Sequence, residues 1–216
     1  MKPLRSGYRV SLDTGGPECE AFERELESYY GVPHARVFNS ATSALIAALE
    51  SLRVREHVKP NPIGGPHVCV PVYTMSASAA SVIHAGAKPV FTDIGDDYMI
   101  DHLRGGFISM PVHLFGHHYK VSGDAPMSLV HDCSQAPTLK PDVTRPHDIY
   151  VYSMNQHKPI SCGEGGYALT FNKELARRLH LVRNHGECSD PYIIGFNFRM
   201  QEPIAAIARA EFRCLD

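Results

Sequence analysis

The chain has 216 residues, of which 44% are hydrophobic and 20% are charged, and its formal net charge at pH 7 is −2. This near-neutral balance excludes the strongly basic surface that is typical of proteins binding nucleic acid or anionic membranes. No apolar run approaches the ~20 residues that a membrane-spanning helix requires, and the first residues lack the apolar core of a signal peptide. The length therefore predicts one sizeable domain of a soluble protein.

Helical and strand patterns alternate along the chain, which predicts an α/β fold with a mostly parallel sheet. In chain order, the patterns predict a helix over 17–30, a strand over 35–38, a helix over 41–52, a proline- and glycine-rich loop over 59–66, a strand over 68–71, a helix over 76–85, strands over 89–91, 107–110, 128–130, 149–152 and 167–171, a helix over 173–183 and a final helix after Pro203.

Cysteines and histidines are dispersed, without a CxxC motif or another spacing typical of metal ligands. We therefore expect no metal site. The cysteines are interpreted as buried thiols of a protein kept in the reducing cytoplasm, rather than as a disulfide framework. They are Cys19, Cys69, Cys133, Cys162, Cys188 and Cys214.

A lysine follows the strand predicted over 149–152. Lys158 lies five residues after Ser153 and is followed by the segment Gly163–Gly166. A lysine beside a strand end, where its pKa can be lowered, is suited to forming a Schiff base with an aldehyde cofactor. An isolated lysine beside a glycine turn would more simply be a surface residue, so this interpretation depends on the neighbouring motifs.

Two other strand ends carry suitable partners for such a cofactor. Asp132 follows a buried strand, where it could pair with a protonated pyridine nitrogen, although it could also cap a helix. The segment Asn39–Thr42 joins a strand to a helix, where backbone N–H groups and a hydroxyl can bind phosphate. Serine and threonine are also ordinary helix caps, so the second signal is weak by itself.

Several segments carry further motifs in a collinear order from about Leu4 to the C-terminus. They are Gly16–Glu23, Asn39–Leu45, Val70–Met75, Ala85–Phe91, Pro111–Gly116, Asp132–Ala136, Ser153–Gly166, Arg183–Gly186 and Gly195–Met200. Together they resemble the DegT/StrS family of fold-type-I enzymes that use pyridoxal 5′-phosphate (PLP), best known as sugar-nucleotide aminotransferases. The resemblance implies a three-layer α/β/α fold over residues 1–216, corresponding to the PLP-binding large domain.

The resemblance implies the chemical roles of three residues. Lys158 would hold PLP as a Schiff base and later move a proton between the amino-acid Cα and the cofactor. Asp132 would pair with the pyridine nitrogen. Gln135 would lie near the phenolic oxygen of the cofactor.

It also implies how the phosphate is bound. Ala41 and Thr42 would donate backbone N–H groups and the threonine hydroxyl, and Ser153 would add a second hydroxyl. Asn197 would reach the phosphate of the neighbouring subunit, because active sites of this family are built across a dimer interface. The expected assembly is therefore a homodimer with shared sites.

The chain also departs from the family pattern. Met75 stands where the family usually has an aromatic ring stacked on the cofactor, and a thioether stacks less specifically. Tyr73 is expected either near the cofactor face or in the core. The segments 101–110 and 116–129 are shorter than in the family and are expected to have lost most of a helix each. The chain ends where the small C-terminal domain of the family would begin, so that domain is expected to be absent.

The function implied by the resemblance is transfer of an amino group from glutamate or glutamine to a keto-sugar nucleotide. One alternative is the related PLP-dependent sugar dehydratase, in which histidine replaces the Schiff-base lysine. Here Lys158 keeps its offset from Ser153, and His157 falls one position early. The other alternative is a non-catalytic or split PLP-binding domain, which the missing small domain favours.

Overall fold

The computed structural model of the protein describes residues 16–56, 64–101, 108–121, 128–186 and 193–215, and these ranges alternate strands and helices as the sequence predicts. Their helices are α1 (Pro17–Tyr30), α2 (Ala41–Ser51), α3 (Ser76–His84), α4 (Lys173–Arg183) and α5 (Glu202–Phe212). Their strands are β1 (His34–Phe38), β2 (His67–Pro71), β3 (Lys88–Thr92), β4 (Ile108–Ser109), β5 (Ser128–Asp132), β6 (Ile149–Ser153) and β7 (Gly166–Thr170). Phe107 and most of the loop predicted over 59–66 lie outside the described residues.

Local sequence explains how α1 begins and ends. Pro17 occupies its first turn, where a missing N–H costs nothing and the fixed backbone angle suits a helix. Phe22 and Leu26 lie one turn apart and are fully buried. The helix ends at Gly31, whose φ of 68° is a left-handed conformation that favours glycine.

The sheet has the strand order β1-β7-β6-β5-β4-β2-β3. Neighbours from β6 to β3 pair in parallel, whereas β7 runs antiparallel to both β6 and β1. The prediction of a mostly parallel sheet is therefore confirmed. Because β1 and β6 are both antiparallel to β7, β1 also runs in the same direction as the parallel strands. The carboxyl ends of β1, β2, β4, β5 and β6 thus lie at one edge of the sheet, where ligands of such folds bind.

Helices cover both faces of the sheet, as the alternation of strand side chains shows. Ile149 and Val151 of β6 belong to a core cluster that includes residues of α2, α3 and α4. Tyr150 and Tyr152 of the same strand belong to a second cluster, shared with α1 and α5. Successive side chains of a strand point to opposite faces, so the fold has the three layers that the sequence analysis expects.

Most of the described cysteines are buried free thiols, but Cys214 is exposed. The prediction that all the cysteines are buried is therefore wrong at this position. The buried side of α5 ends with Phe212, and Cys214 follows the last helical turn. Cys188 lies outside the described residues. No helix in the described part of the chain is long and apolar enough to cross a membrane.

A buried chain of polar groups ties β5 to its surroundings. The backbone N–H of Tyr119 donates to Nδ1 of His113 (3.1 Å), so the ring hydrogen of His113 lies on Nε2 and is donated to Nδ1 of His131 (3.0 Å). His131 in turn donates from Nε2 to the carboxylate of Asp148 (3.1 Å), which also accepts from Nε of Arg145 (2.6 Å). Burial lowers the pKa of His131, and burial together with the nearby His131 lowers the pKa of His113 to about 2. Both rings are therefore neutral in the folded protein.

The free energy of unfolding is expected to fall as the pH decreases from 7.5 to 5.5. Both folded-state pKa values lie below the ordinary histidine value of about 6.5, so the unfolded chain binds protons that the folded chain does not. The contribution of both histidines is fully present above that value and is lost as the pH falls below it. For His113, whose folded pKa is about 2, the loss amounts to roughly 1–1.5 kcal/mol over this interval, and His131 adds to it in the same direction. Denaturant titrations at several pH values measure the slope. The control His84→Asn, at an exposed position, should leave the slope unchanged, and a pH-independent stability would contradict the prediction.

Candidate active site

A cavity of about 500 Å³ opens at the carboxyl edge of the sheet, lined by residues that follow β1, β2, β4, β5 and β6. These strands are brought together by the sheet order and not by the order of the chain. Of the site residues predicted from the sequence, the cavity is lined by Ala41, Thr42, Met75, Asp132, Gln135, Ser153 and Lys158. Tyr73 and Asn197 do not line it.

One end of the cavity is the N-terminus of α2. Ser40 caps this helix, and its Oγ accepts the backbone N–H of Ser43 (3.1 Å). The N–H groups of Ala41 and Thr42, in the first helical turn, have no carbonyl partner within the helix. A Cβ on Gly166 would lie 2.5 Å from the backbone nitrogen of Ala41, so only glycine allows the helix start to lie directly against β7. This end of the cavity therefore presents the N–H groups of Ala41 and Thr42 and the hydroxyl of Thr42, which suit an anion.

Asp132 ends β5 and is 5% exposed. Its Oδ2 accepts the hydroxyl of Ser78 (2.9 Å), and its Oδ1 accepts the N–H of Ser134 (3.1 Å). Because Ser78 donates its only hydrogen to the carboxylate, it must accept from the hydroxyl of Thr74 (2.9 Å). These donors hold the carboxylate in one orientation. Thr74 and Ser78 are not among the site residues predicted from the sequence, although two hydroxyl residues spaced four apart at the start of a helix indicate side chains on the same side.

Lys158 lies on a loop after β6 that internal hydrogen bonds hold in place. Its backbone N–H donates to the carbonyl of Asn155 (2.8 Å), and the Asn155 side chain accepts the N–H of His157 (3.1 Å). The same side chain donates to the carboxylate of Glu164 (2.6 Å), and Ser153 Oγ accepts the Asn155 N–H (3.3 Å). Glu164, to which the sequence assigned no chemical step, therefore anchors this loop at the cavity wall. Among the residues that the structure describes, none pairs with the Lys158 amine.

The amide of Gln135 has a defined direction. Its Oε1 accepts the backbone N–H of Phe115 (3.0 Å), and a backbone N–H can only donate. The NH₂ group of Gln135 is therefore the end left free to donate to a ligand. Phe115 is a second contact that the sequence analysis missed, because it depends on a pairing between distant loops.

Two residues predicted for the site lie outside this cavity, and their roles stay predictions. Tyr73 is 51% exposed, so the alternative expectation that it lies in the core is wrong, and its ring centroid lies 6.2 Å from that of Tyr98. Asn197 is exposed and lines a separate cavity of about 330 Å³. Its backbone carbonyl accepts the side-chain amide of Asn39 (3.4 Å), which places it next to the loop that leads into α2.

Comparison of the chain with known proteins identifies its family. The model of the DegT/DnrJ/EryC1/StrS aminotransferase family matches residues 8–216. A UDP-N-acetyl-3-dehydro-alpha-D-glucosamine 3-aminotransferase of Acidithiobacillus ferrooxidans is 31% identical, over 91% of this chain and 57% of its own length. A UDP-4-amino-4,6-dideoxy-N-acetyl-beta-L-altrosamine transaminase of Campylobacter jejuni is also 31% identical, over 99% of this chain and 61% of its own length. Among solved structures, DesV of S. venezuelae in complex with a ketimine intermediate has a TM-score of 0.77 and 29% identity, over 93% of this chain and 57% of DesV.

The chain belongs to the DegT/DnrJ/EryC1/StrS aminotransferase family. Its fold is that of the PLP fold-type-I aminotransferases among its structural neighbours, and the enzymes of this family depend on PLP. The chain spans about three fifths of the length of the curated relatives that it matches.

The replacement Gly166→Ala is expected to weaken PLP binding by about 10-fold to 100-fold. The new Cβ would push the first turn of α2 away from β7, and the loss of one hydrogen bond to a charged phosphate corresponds to about 1.5–3 kcal/mol. Equilibrium titration with PLP, followed by absorbance, measures the dissociation constant.

The matched control is Gly31→Ala, at the end of α1. This replacement places alanine in a left-handed conformation (φ 68°), but the added Cβ has no other atom within 4 Å. It should lower the melting temperature and leave PLP affinity unchanged. Equal affinities of Gly166→Ala and the parent protein would show that the contact with α2 does not govern anion binding.

Proposed function

We propose that this member of the DegT/DnrJ/EryC1/StrS aminotransferase family binds PLP in the 500 Å³ cavity and transfers an amino group from glutamate or glutamine to a keto-sugar nucleotide. The observation that carries the proposal is one cavity that combines a lysine amine without a described partner, a buried carboxylate and an open helix N-terminus. The names of the relatives support amino transfer over dehydration and over a non-catalytic domain.

The residues that line the cavity fit the cofactor. The N–H groups of Ala41 and Thr42 suit a phosphate dianion, and the glycine at position 166 leaves room for the helix start that carries them. The Asp132 carboxylate suits a protonated pyridine nitrogen, and the free NH₂ of Gln135 suits a phenolic oxygen. The volume lies in the range of about 300–1,000 Å³ that is usual for small-molecule sites.

When bound, PLP supplies an electron-withdrawing ring that stabilises negative charge at the Cα of the amino donor. The protein supplies position and proton transfer. Lys158 would hold the cofactor covalently, and its amine, once released, would take the proton from Cα. Asp132 would favour the protonated form of the ring nitrogen, because an adjacent negative charge stabilises a cation. Ser78 and Ser134 would keep that carboxylate from turning away.

The proposal also covers the domain that the chain represents and the compartment in which the protein acts. Residues 1–216 would form the PLP-binding large domain, and the protein would act in the cytoplasm. Buried free thiols at Cys19, Cys69, Cys133 and Cys162 support a reducing compartment.

Borohydride reduction in the presence of PLP should fix the pyridoxyl group on Lys158. The reason is that a lysine amine can attack the aldehyde of the cofactor only if no other group occupies it. Peptide mapping by mass spectrometry identifies the labelled residue. Incubation with L-glutamate and, in a parallel sample, with L-glutamine before reduction should in at least one case yield pyridoxamine phosphate and abolish the label.

The variant Lys158→Arg should bind PLP without labelling, whereas Lys173→Arg, at the exposed start of α4, should label like the parent. A label on another lysine would refute the site assignment. A label on Lys158 that neither glutamate nor glutamine removes would refute amino transfer while leaving cofactor binding intact.

We further propose that the protein is a homodimer in which Asn197 binds the PLP phosphate of the partner. In support, Asn197 is exposed beside the loop before α2, yet its own cavity is a different one. A side chain at this place is suited to reach outward rather than into the site of its own chain.

If the site is shared, PLP occupancy and the dimer fraction should fall together on dilution, as mass action requires. Analytical ultracentrifugation with absorbance detection follows both quantities. Asn197→Ala should weaken PLP binding without dissociating the dimer. The control Asn172→Ala, which removes the cap of α4, should lower the melting temperature by its effect on the helix and leave PLP affinity unchanged. A dilute monomer with full PLP affinity would rule out the shared site.

A further inference from the structure

Three exposed aromatic side chains lie beside the 500 Å³ cavity. Tyr73, Tyr98 and Phe115 are 51%, 46% and 60% exposed. The ring centroid of Tyr98 lies 6.2 Å from that of Tyr73 and 5.7 Å from that of Phe115. We call these three residues the aromatic ledge. Single exposed apolar side chains are ordinary, but a contiguous group of them usually marks a binding surface.

The ledge is continuous with the cavity wall. Tyr73 directly precedes Thr74 and Met75, and Phe115 directly follows Leu114, and these neighbours all line the cavity. Phe115 is also joined to the cavity through its hydrogen bond to Gln135. A ligand seated in the cavity and extending outward on this side would therefore meet the aromatic rings.

Two of the three residues have a strained backbone. Tyr98 has a φ of 62° and Phe115 a φ of 54°, in the left-handed region that bulky side chains avoid. Residues in such conformations persist when surrounding contacts hold them, and they cluster at functional sites. Here the carbonyl of Gly95 accepts the Tyr98 N–H (3.0 Å), and Gln135 holds the Phe115 N–H. These hydrogen bonds hold the backbone of both residues in place, and both rings are exposed.

We propose that the aromatic ledge stacks against the base of the sugar-nucleotide substrate, an inference that rests on the proposed function. Every base has a flat π-face, and aromatic side chains stack on it whatever its hydrogen-bonding edge. Exposed carboxylates of Asp96 and Asp97 precede Tyr98 on the same turn, and they disfavour a diphosphate at this place. The ledge therefore fits the base end of the nucleotide, with the sugar in the cavity.

The size of the ledge favours a small ligand over a protein partner. Three half-exposed aromatic side chains offer on the order of 300 Å² of surface. A stable protein interface buries at least about 1,000 Å². The area of the ledge is therefore suited to a single base and is too small for a stable protein interface.

The test uses UDP as the probe, with the PLP-loaded protein and isothermal titration calorimetry. In Tyr98→Asn and Phe115→Asn, the ring is removed, and asparagine tolerates the left-handed conformation. Each variant should therefore bind UDP about tenfold more weakly or worse, while its melting temperature stays the same or rises. A residue with a merely structural role would show the opposite, a loss of stability with unchanged affinity.

Arg53→Asn is the matched control. Arg53 has a φ of 52° and is exposed just after α2, at the end of that helix farthest from the cavity. The replacement relieves the same kind of strain, so it should raise or preserve the melting temperature and leave the affinity for UDP unchanged.

Unchanged affinity for UDP in both ledge variants would overturn the proposal. So would a loss of dimers with unchanged affinity, since the ledge would then be a subunit contact. If the parent protein carries PLP on Lys158 but does not bind UDP, the ledge proposal fails and cofactor binding stands. Failure of the label on Lys158 would instead overturn the proposed function itself.

Discussion

The close contact between the start of α2 and β7 is the constraint on which the rest of the site depends. Gly166 has no side chain, and the backbone of Ala41 occupies the space that a Cβ would fill. Because β7 lies between β1 and β6, this contact fixes the end of β1, where the helix begins, relative to the end of β6, where the lysine loop begins. The anion-binding end of the cavity and the Lys158 loop are thereby held on one rigid frame, which is the arrangement that a precise site requires.

The strand β5 serves the site through both of its faces. Asp132, at the end of β5, lines the cavity. His131, its neighbour in sequence, points to the opposite face, where it forms part of the buried hydrogen-bonded series that runs from His113 to Asp148. Burying polar groups is costly unless each is hydrogen-bonded. Here the backbone N–H of Tyr119 determines the direction of the hydrogen bonds that His113 and His131 donate. The backbone of Asp132 is itself bonded to Pro111 and His113. The same residues therefore stabilise the strand and fix the position of the carboxylate.

The two sides of the cavity are organised by different physical means. Around Asp132 and Lys158, short hydrogen bonds hold polar groups that would otherwise move. On the side of Tyr98 and Phe115, aromatic rings are exposed, and the backbone at both residues is strained. A chemical site needs fixed geometry, whereas a surface that recognises a flat ring needs area and tolerance. The division matches a substrate that reacts at one end and is recognised at the other.

The sequence by itself determined the helices, the strands and the sheet type, because apolar periodicity and caps are local properties. It also placed Lys158, Asp132 and the start of α2 at strand ends, and parallel strands bring such ends to one edge. Only the tertiary structure decided which side chains meet there. The bonds from Ser78 to Asp132 and from Phe115 to Gln135 join loops that are distant in the chain. The exposure of Tyr73, and the separate cavity of Asn197, depend on how those loops pack. Periodicity carries no information about such contacts, because they follow from the order of the strands across the sheet.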